Sequence, residues 1–260
     1  MPKEAFGGDD SDGGGDAGKK RGGLSRFGLS PDVNIRDVFW RVMDSYADTG
    51  KPGTTLAGLE NDRFSLMRAA LSVLSGPQTG QYSPTQVAEF TIMMLADGGW
   101  ADALASFLVE AAETNAMRKE VSKAIRKLSH AEGYGSAIRE SCSAMLRDRQ
   151  KSSVAVSYIA DSEDAELAVS VRKELMIIAR GGIGDEQMNA IRAITLIKDD
   201  AEVKKALVVL LSHWDAQARL AAAEALEAMA GDSEVKAAAA KRLQAESDPK
   251  IKAILARIAG

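Results

Sequence analysis

Residues 200–240 read DAEVKKALVVLLSHWDAQARLAAAEALEAMAGDSEVKAAAA. The opening Asp200-Ala-Glu-Val-Lys-Lys-Ala returns as Asp232-Ser-Glu-Val-Lys-Ala-Ala, 32 residues later. Asp164-Ala-Glu-Leu opens in the same way 36 residues before Asp200. Aspartate is a good helix N-cap, and a glutamate in the first turn suits the positive end of the helix dipole. Each of the three therefore predicts a helix start. Between them lie alternate helices. DEQMNAIRAITLIKD at 185–199 matches DAQARLAAAEALEAMAGD at 215–232 with an offset of 30, and DPKIKAILARIAG follows 33 further on, at 248–260. A two-helix unit that returns at this period predicts an α-solenoid.

The same segment is rich in small residues. Ala221, Ala222, Ala223 and Ala225, with Ala237 to Ala240, are expected to let neighbouring helices approach closely. Leu226, Met229, Leu243, Ile254 and Leu255 are expected to fill the core between them.

Working outward, helical patterns continue to the N-terminal side. SPDVNIRDVFWRVMDSYAD starts at a capping Ser30 with Pro31 in the first turn. A second helix is expected over about 58–75, a third from Ser83 to about 97–99, a fourth from Trp100 to about 114, and an amphipathic fifth over 115–129. HAEGYG breaks the pattern. Helices over about 135–149 and 151–160 follow. SVAVSYIA at 153–160 is the best strand candidate, but a lone strand has nothing to pair with. The chain reads as all-α: a solenoid of helical hairpins behind a disordered tail. Its boundaries are expected at 1–29 for a Gly- and Asp-rich, then basic tail, 30–149 for an N-terminal helical region, and 150–260 for the clear repeats, continuous with the helices before them.

The run ARLAAAEALEAMAGDSEVKAAAAKRLQAESDPKIKAIL at 218–255 resembles HEAT-like repeats, above all the short type of phycobilin-lyase-like HEAT proteins. In that type a charged Val-Arg step, an alanine-rich core run and a Gly-Asp turn recur. The resemblance covers about 185–260 and extends back to about 150. It implies a curved surface of stacked helical hairpins and says little about activity, because repeat scaffolds host many functions. HEAT-like hydroxylases that hold iron share repeated His-Glu pairs, and His130 and His213 form none. HEAT-like alkylbase glycosylases use aromatic and acidic groups in a groove. Trp40, Trp100 and Trp214 each stand within four residues of an aspartate (Asp44, Asp102 and Asp215), which is a weak version of that pattern; tryptophan in such helices is usually core.

Composition bounds the rest. Of 260 residues, 45% are hydrophobic, 27% charged and 5% aromatic, and the net charge is -4. That balance fits a soluble helical protein with no strong global field toward nucleic acid or membrane. The N-terminus has no apolar stretch of the signal-peptide kind, and no run of about 18 apolar residues predicts a membrane span. Cys142 is the single cysteine, which excludes an intrachain disulfide and fits the cytoplasm. It lies at helical spacing with Ile138, Met145 and Leu146, as a buried structural cysteine would. GGIG at 181–184 lacks the Lys-Ser/Thr of a phosphate loop and reads as a turn. No Gly-x-Ser-x-Gly occurs. Nothing calls for a catalytic group, a metal or a cofactor.

One stretch stands apart. Arg118, Lys119, Lys123, Arg126, Lys127, Arg139, Arg147, Arg149 and Lys151 outnumber the acids of 118–151 by a local net of +5. Lys119, Lys123 and Lys127 repeat every four residues and line one helix face. They could receive an acidic protein or a phosphate backbone; the same pattern also describes a solvated face. Segment 161–186 is acidic by comparison, which points to self-association or to pairing within the chain. Lys19, Lys20 and Arg21 in the tail form a second basic group, an electrostatic lead for Leu24, Phe27 and Leu29. The expected role is a non-enzymatic scaffold or adaptor that binds another protein. The alternatives are a nucleic-acid-binding solenoid that uses 118–151, a structural subunit of a larger oligomeric assembly, or an enzyme of lyase or glycosylase type.

Overall fold

The structure, a computed structural model, describes residues 35–49, 63–76 and 82–260. The expected tail, with Lys19, Lys20 and Arg21, and the Ser30 cap lie outside the described residues. Among those described, every regular element is a helix: α1 (Ile35–Thr49), α2 (Arg63–Ser75), α3 (Pro84–Asp97), α4 (Ala101–Ala111), α5 (Asn115–Leu128), α6 (Tyr134–Arg147), α7 (Ser152–Ser162), α8 (Ala165–Ser170), α9 (Arg172–Gly181), α10 (Gly184–Thr195), α11 (Ala201–Leu210), α12 (Ala216–Glu227), α13 (Ser233–Ala245) and α14 (Pro249–Ala259). The strand candidate SVAVSYIA is α7. Its Tyr158 is fully buried, and the hydroxyl donates to the Leu108 carbonyl at 2.8 Å, which ties α7 to α4. No described helix is long and apolar enough to cross a membrane.

The caps follow the sequence. Asp164, Asp200 and Asp232 each accept hydrogen bonds from first-turn backbone N–H groups, and so do Asp215 and Asp248. Ser83 and Gln86 close a reciprocal capping box on α3. The break before α6 is steric: Gly133 sits at φ +86°, and a Cβ on Gly135 would lie 2.1 Å from the Ser129 carbonyl oxygen.

Successive helices form antiparallel hairpins that stack in two rows. Helices α3, α5, α7, α10, α12 and α14 pack closely against one another, whereas α2, α4, α6, α9, α11 and α13 lie further apart. A stack that is shorter on one side curves toward that side, so the first row lines the concave face. The 36-residue spacing before Asp200, against 32 after it, has a visible cause: the outer helix there is broken at Val171 into α8 and α9.

Core residues fall where the repeat puts them. Leu226, Leu255 and Ile254 are buried, as are Ala221, Ala222 and Ala223, while Met229 and Leu243 are half-buried. The expectation for Ala237 to Ala240 needs correction. Only Ala239 is buried; Ala237 and Ala240 face solvent, because α13 presents a single narrow stripe inward.

Adjacent repeats are also tied by charge. Arg172 of α9 reaches forward to Asp200, the cap of α11, and lies 3.2 Å from Glu202. Lys204, 32 residues after Arg172, reaches Asp232, the cap of α13, at 2.5 Å. The cap aspartate thus starts one helix and anchors the previous repeat.

Candidate interaction site

Helix α5 is as amphipathic as its sequence: Met117, Val121, Ala124, Ile125 and Leu128 are buried, while Lys119, Lys123, Arg126 and Lys127 are exposed. Their charge, however, is largely spent inside the chain. Lys127 Nζ donates to Glu89 at 2.5 Å and Lys123 Nζ to Glu120 at 2.7 Å. Arg126 Nη1 donates to Glu163 at 2.8 Å, and Arg147 Nη2 to Glu174 at 3.0 Å. Arg118 Nε lies 3.2 Å from Asp161 as an ion pair without hydrogen-bond geometry, and Arg192 approaches the same carboxylate at 3.6 Å. Lys151 pairs with Asp148 at 3.2 Å. Lys119 and Arg149 have no ion-pair partner among the described residues. The acidic segment after 161 supplies Asp161, Glu163 and Glu174, so the polarity between the two segments is met within the chain. Two other acids show what this pairing does to ionisation. Burial acts to raise the Glu120 carboxyl, but hydrogen bonds from Lys123 and Thr85 outweigh it and leave it lowered. The Gln150 backbone N–H, and after it Lys151, lower Asp148.

The lysine side of the Lys123 and Lys127 pairs is open to water, and surface pairs contribute little to stability. The triple variant Lys119→Glu, Lys123→Glu, Lys127→Glu is therefore expected to fold and to melt within a few degrees of the parent, as read by circular dichroism. A collapse of the melt would mean that the pairs with Glu89 and Glu120 hold the fold.

The concave face opens elsewhere. A cleft of about 450 Å³ runs between α5, α7 and α10, lined by Asn115, Arg118, Ser153, Asp185 and Asn189 among others. A second, of about 280 Å³, lies between α10 and α12, past Arg192, Thr195 and Glu224. Asn115 is exposed at the start of α5, and its side chain has no hydrogen-bond partner among the described residues. Asn189 accepts from Arg192 at 3.2 Å and keeps its own amide N–H groups. Sequence reasoning passed over Asn115, Ser153 and Asn189. Single polar residues on a solvated helix side look alike at any spacing, and only the stacking of α5, α7 and α10 brings these to one cleft.

The residues weighed for catalysis are engaged separately. Cys142 is fully buried, and burial pushes its thiol up to about 12. His213 stands in the α11–α12 turn, its Nδ1 accepting from the Asp215 backbone N–H at 3.2 Å and its ring against Trp214. Asp44 receives the Tyr82 hydroxyl at 2.7 Å, Asp102 pairs with Arg63 at 2.7 Å, and Asp215 caps α12. Trp100 is buried and Trp40 stacks on Tyr82. The expectation that tryptophan is core fails for Trp214, which is 81% exposed. No group of three or more His, Cys, Asp or Glu side chains converges as a metal site among the described residues.

No protein-family model matches the chain, and no curated protein does. Among solved structures it is similar to a designed armadillo repeat protein in complex with the peptide (KR)4, at 17% identity and a TM-score of 0.46, over 78% of this chain and 96% of that one. It is also similar to two engineered structural-genomics targets, each at 17% identity. For one, the TM-score is 0.45 over 87% of this chain and 96% of the other; for the second it is 0.44 over 86% and 72%.

Proposed function

We propose that the protein is a non-enzymatic scaffold that holds an extended segment of another protein along its concave face. The observation that carries this reading is the polar cleft shared by α5, α7 and α10. An extended segment brings an N–H and a C=O at every residue, and each needs a partner once buried. A primary amide offers both a donor and an acceptor, so Asn115 and Asn189 suit a peptide main chain. The internal pairing of Arg118, Lys123, Arg126, Lys127 and Arg147 weighs against a phosphate backbone as the main ligand. The HEAT-like character of 185–260, close to the phycobilin-lyase-like type, belongs to the same reading, as does a cytoplasmic place with a reduced, buried cysteine.

Selection of a random peptide library on the full chain tests it. Peptides enriched on the parent should bind the Asn115→Ala, Asn189→Ala double variant at least about tenfold more weakly, with an unchanged melt, since each lost hydrogen bond is worth about 1 kcal/mol. Peptides that bind both proteins equally would remove the cleft from the reading. Random duplex DNA or RNA that binds tightly and weakens steeply with salt would replace it with the nucleic-acid alternative.

A further inference from the structure

On α9, Lys173, Ile177 and Arg180 follow at four and three residues and so share one face, and all three are exposed. On the neighbouring α11, Lys205 and Val209 do the same. Ile183 and Trp214 stand at the two turns that follow these helices. The turns are neighbours: Gln187 Nε2 donates to the Ala179 carbonyl at 3.0 Å and lies 3.4 Å from His213 Nε2. Ile177, Ile183, Val209 and Trp214 are 71, 74, 64 and 81% exposed, the four most exposed large hydrophobics among the described residues. Scattered singly they would need no account; carried on two helices in contact and on the two neighbouring turns that follow them, they mark a contact surface.

The Trp214 turn is held from within. Arg219 Nη1 donates to the carbonyls of His213 and Trp214, at 3.0 and 2.9 Å, while Nε and Nη2 grip Glu246. A tryptophan presented on a fixed backbone loses little freedom on binding, and tryptophan is a frequent anchor of interfaces.

Charge defines the partner. The cations of α5 are mostly tied to acids, but Lys173, Arg180 and Lys205 have no ion-pair or hydrogen-bond partner among the described residues. The acids beside them are engaged elsewhere: Glu174 with Arg147, and Glu202 with Arg172. Asp185, two residues past Ile183, lines the concave cleft instead.

We propose that this convex face of α9 and α11 binds an acidic amphipathic segment of a partner protein. Its apolar residues would lie on Ile177, Ile183, Val209 and Trp214, and its carboxylates on Lys173, Arg180 and Lys205. The surface is on the opposite side from the concave cleft and stands independently of it.

The test uses the full chain and a labelled 18-residue amphipathic peptide with Leu and Phe on one face and Glu on the other, read by fluorescence anisotropy. Two companion peptides replace every Glu with Gln or with Lys. The acidic peptide is expected to bind at least about tenfold more tightly than the Gln peptide, and more weakly as salt rises. Its binding should blue-shift the emission of the exposed Trp214. Trp214→Ser, and separately Lys173→Glu with Lys205→Glu, should each weaken it by about tenfold or more with the melt unchanged, since all three side chains are exposed. Equal binding of the acidic and Gln peptides, or full binding by the variants, overturns the proposal. So does any sign of another occupant: phosphatidylserine vesicles bound when the peptide is not, peptide binding that appears only after removal of residues 1–34, or a dimer in sedimentation that Trp214→Ser dissociates.

Discussion

Glu246→Ala is expected to lower the stability of the fold by about 3–5 kcal/mol in chemical denaturation, the usual cost of removing one partner from a buried ion pair. The Glu246 carboxylate is fully buried and Arg219 nearly so. Arg219 grips it through two bonds of 2.9 and 3.1 Å, Arg242 adds two more of 3.2 and 2.9 Å, and the backbone N–H groups of Ser247 and Asp248 complete the set. Without it, the Arg219 guanidinium stays inside with its charge unmatched. Replacing Glu227, whose pair with Arg257 is open to water, should barely move the same curve.

The same site gives a pH dependence. Burial alone would raise the Glu246 carboxyl, but hydrogen bonds from Arg219, the Asp248 backbone, Arg242 and the Ser247 backbone outweigh it and hold it well below its ordinary 4.5. A carboxylate lowered in the folded state contributes its stability in full above the unfolded value, and loses it as pH falls below that value toward the folded one. Stability of the parent should therefore decline below about pH 4.5, and Glu246→Gln should flatten that part of the profile. An equally steep profile in Glu246→Gln would place the acid sensitivity elsewhere.

Leu226→Ala is expected to cost about 2–4 kcal/mol, the range for a buried leucine whose cavity cannot collapse. Leu226 is fully buried in α12, which packs against α10, α11 and α14. Truncation there withdraws side-chain atoms from a site enclosed by three neighbouring helices at once. A midpoint unchanged in denaturant would contradict that packing.

The doubled aspartate motif made the hairpins legible in sequence. Asp200 and Asp232 announce helix starts by chemistry that acts within three residues, and the apolar spacing after them acts within one turn. Lys123 and Lys127 were legible in direction but not in partner. Their acids, Glu120 and Glu89, differ in kind: one lies on the same helix, the other on α3, the preceding helix of the same row, and no local pattern encodes the second. The cleft was illegible for the same reason, since Asn115 and Asn189 are 74 positions apart and come to line one cleft only because α5, α7 and α10 stack. Trp214 was misjudged because an aromatic at the end of an apolar run looks like core. What turns it outward is the Arg219 side chain taking the carbonyls of its own turn.

The ties from Arg172 to Asp200 and from Lys204 to Asp232 make the repeat self-propagating. Each unit carries a cation that looks forward and an aspartate that answers the unit behind, 32 positions apart in both cases. A copy of residues 200–231 inserted after itself would arrive with both halves of the join already in register: the first Lys204 would meet the copied Asp200, and the copied Lys204 would meet Asp232. Such a chain can lengthen by duplication without inventing a new contact, so the number of units is free to drift while the seam between them stays constant.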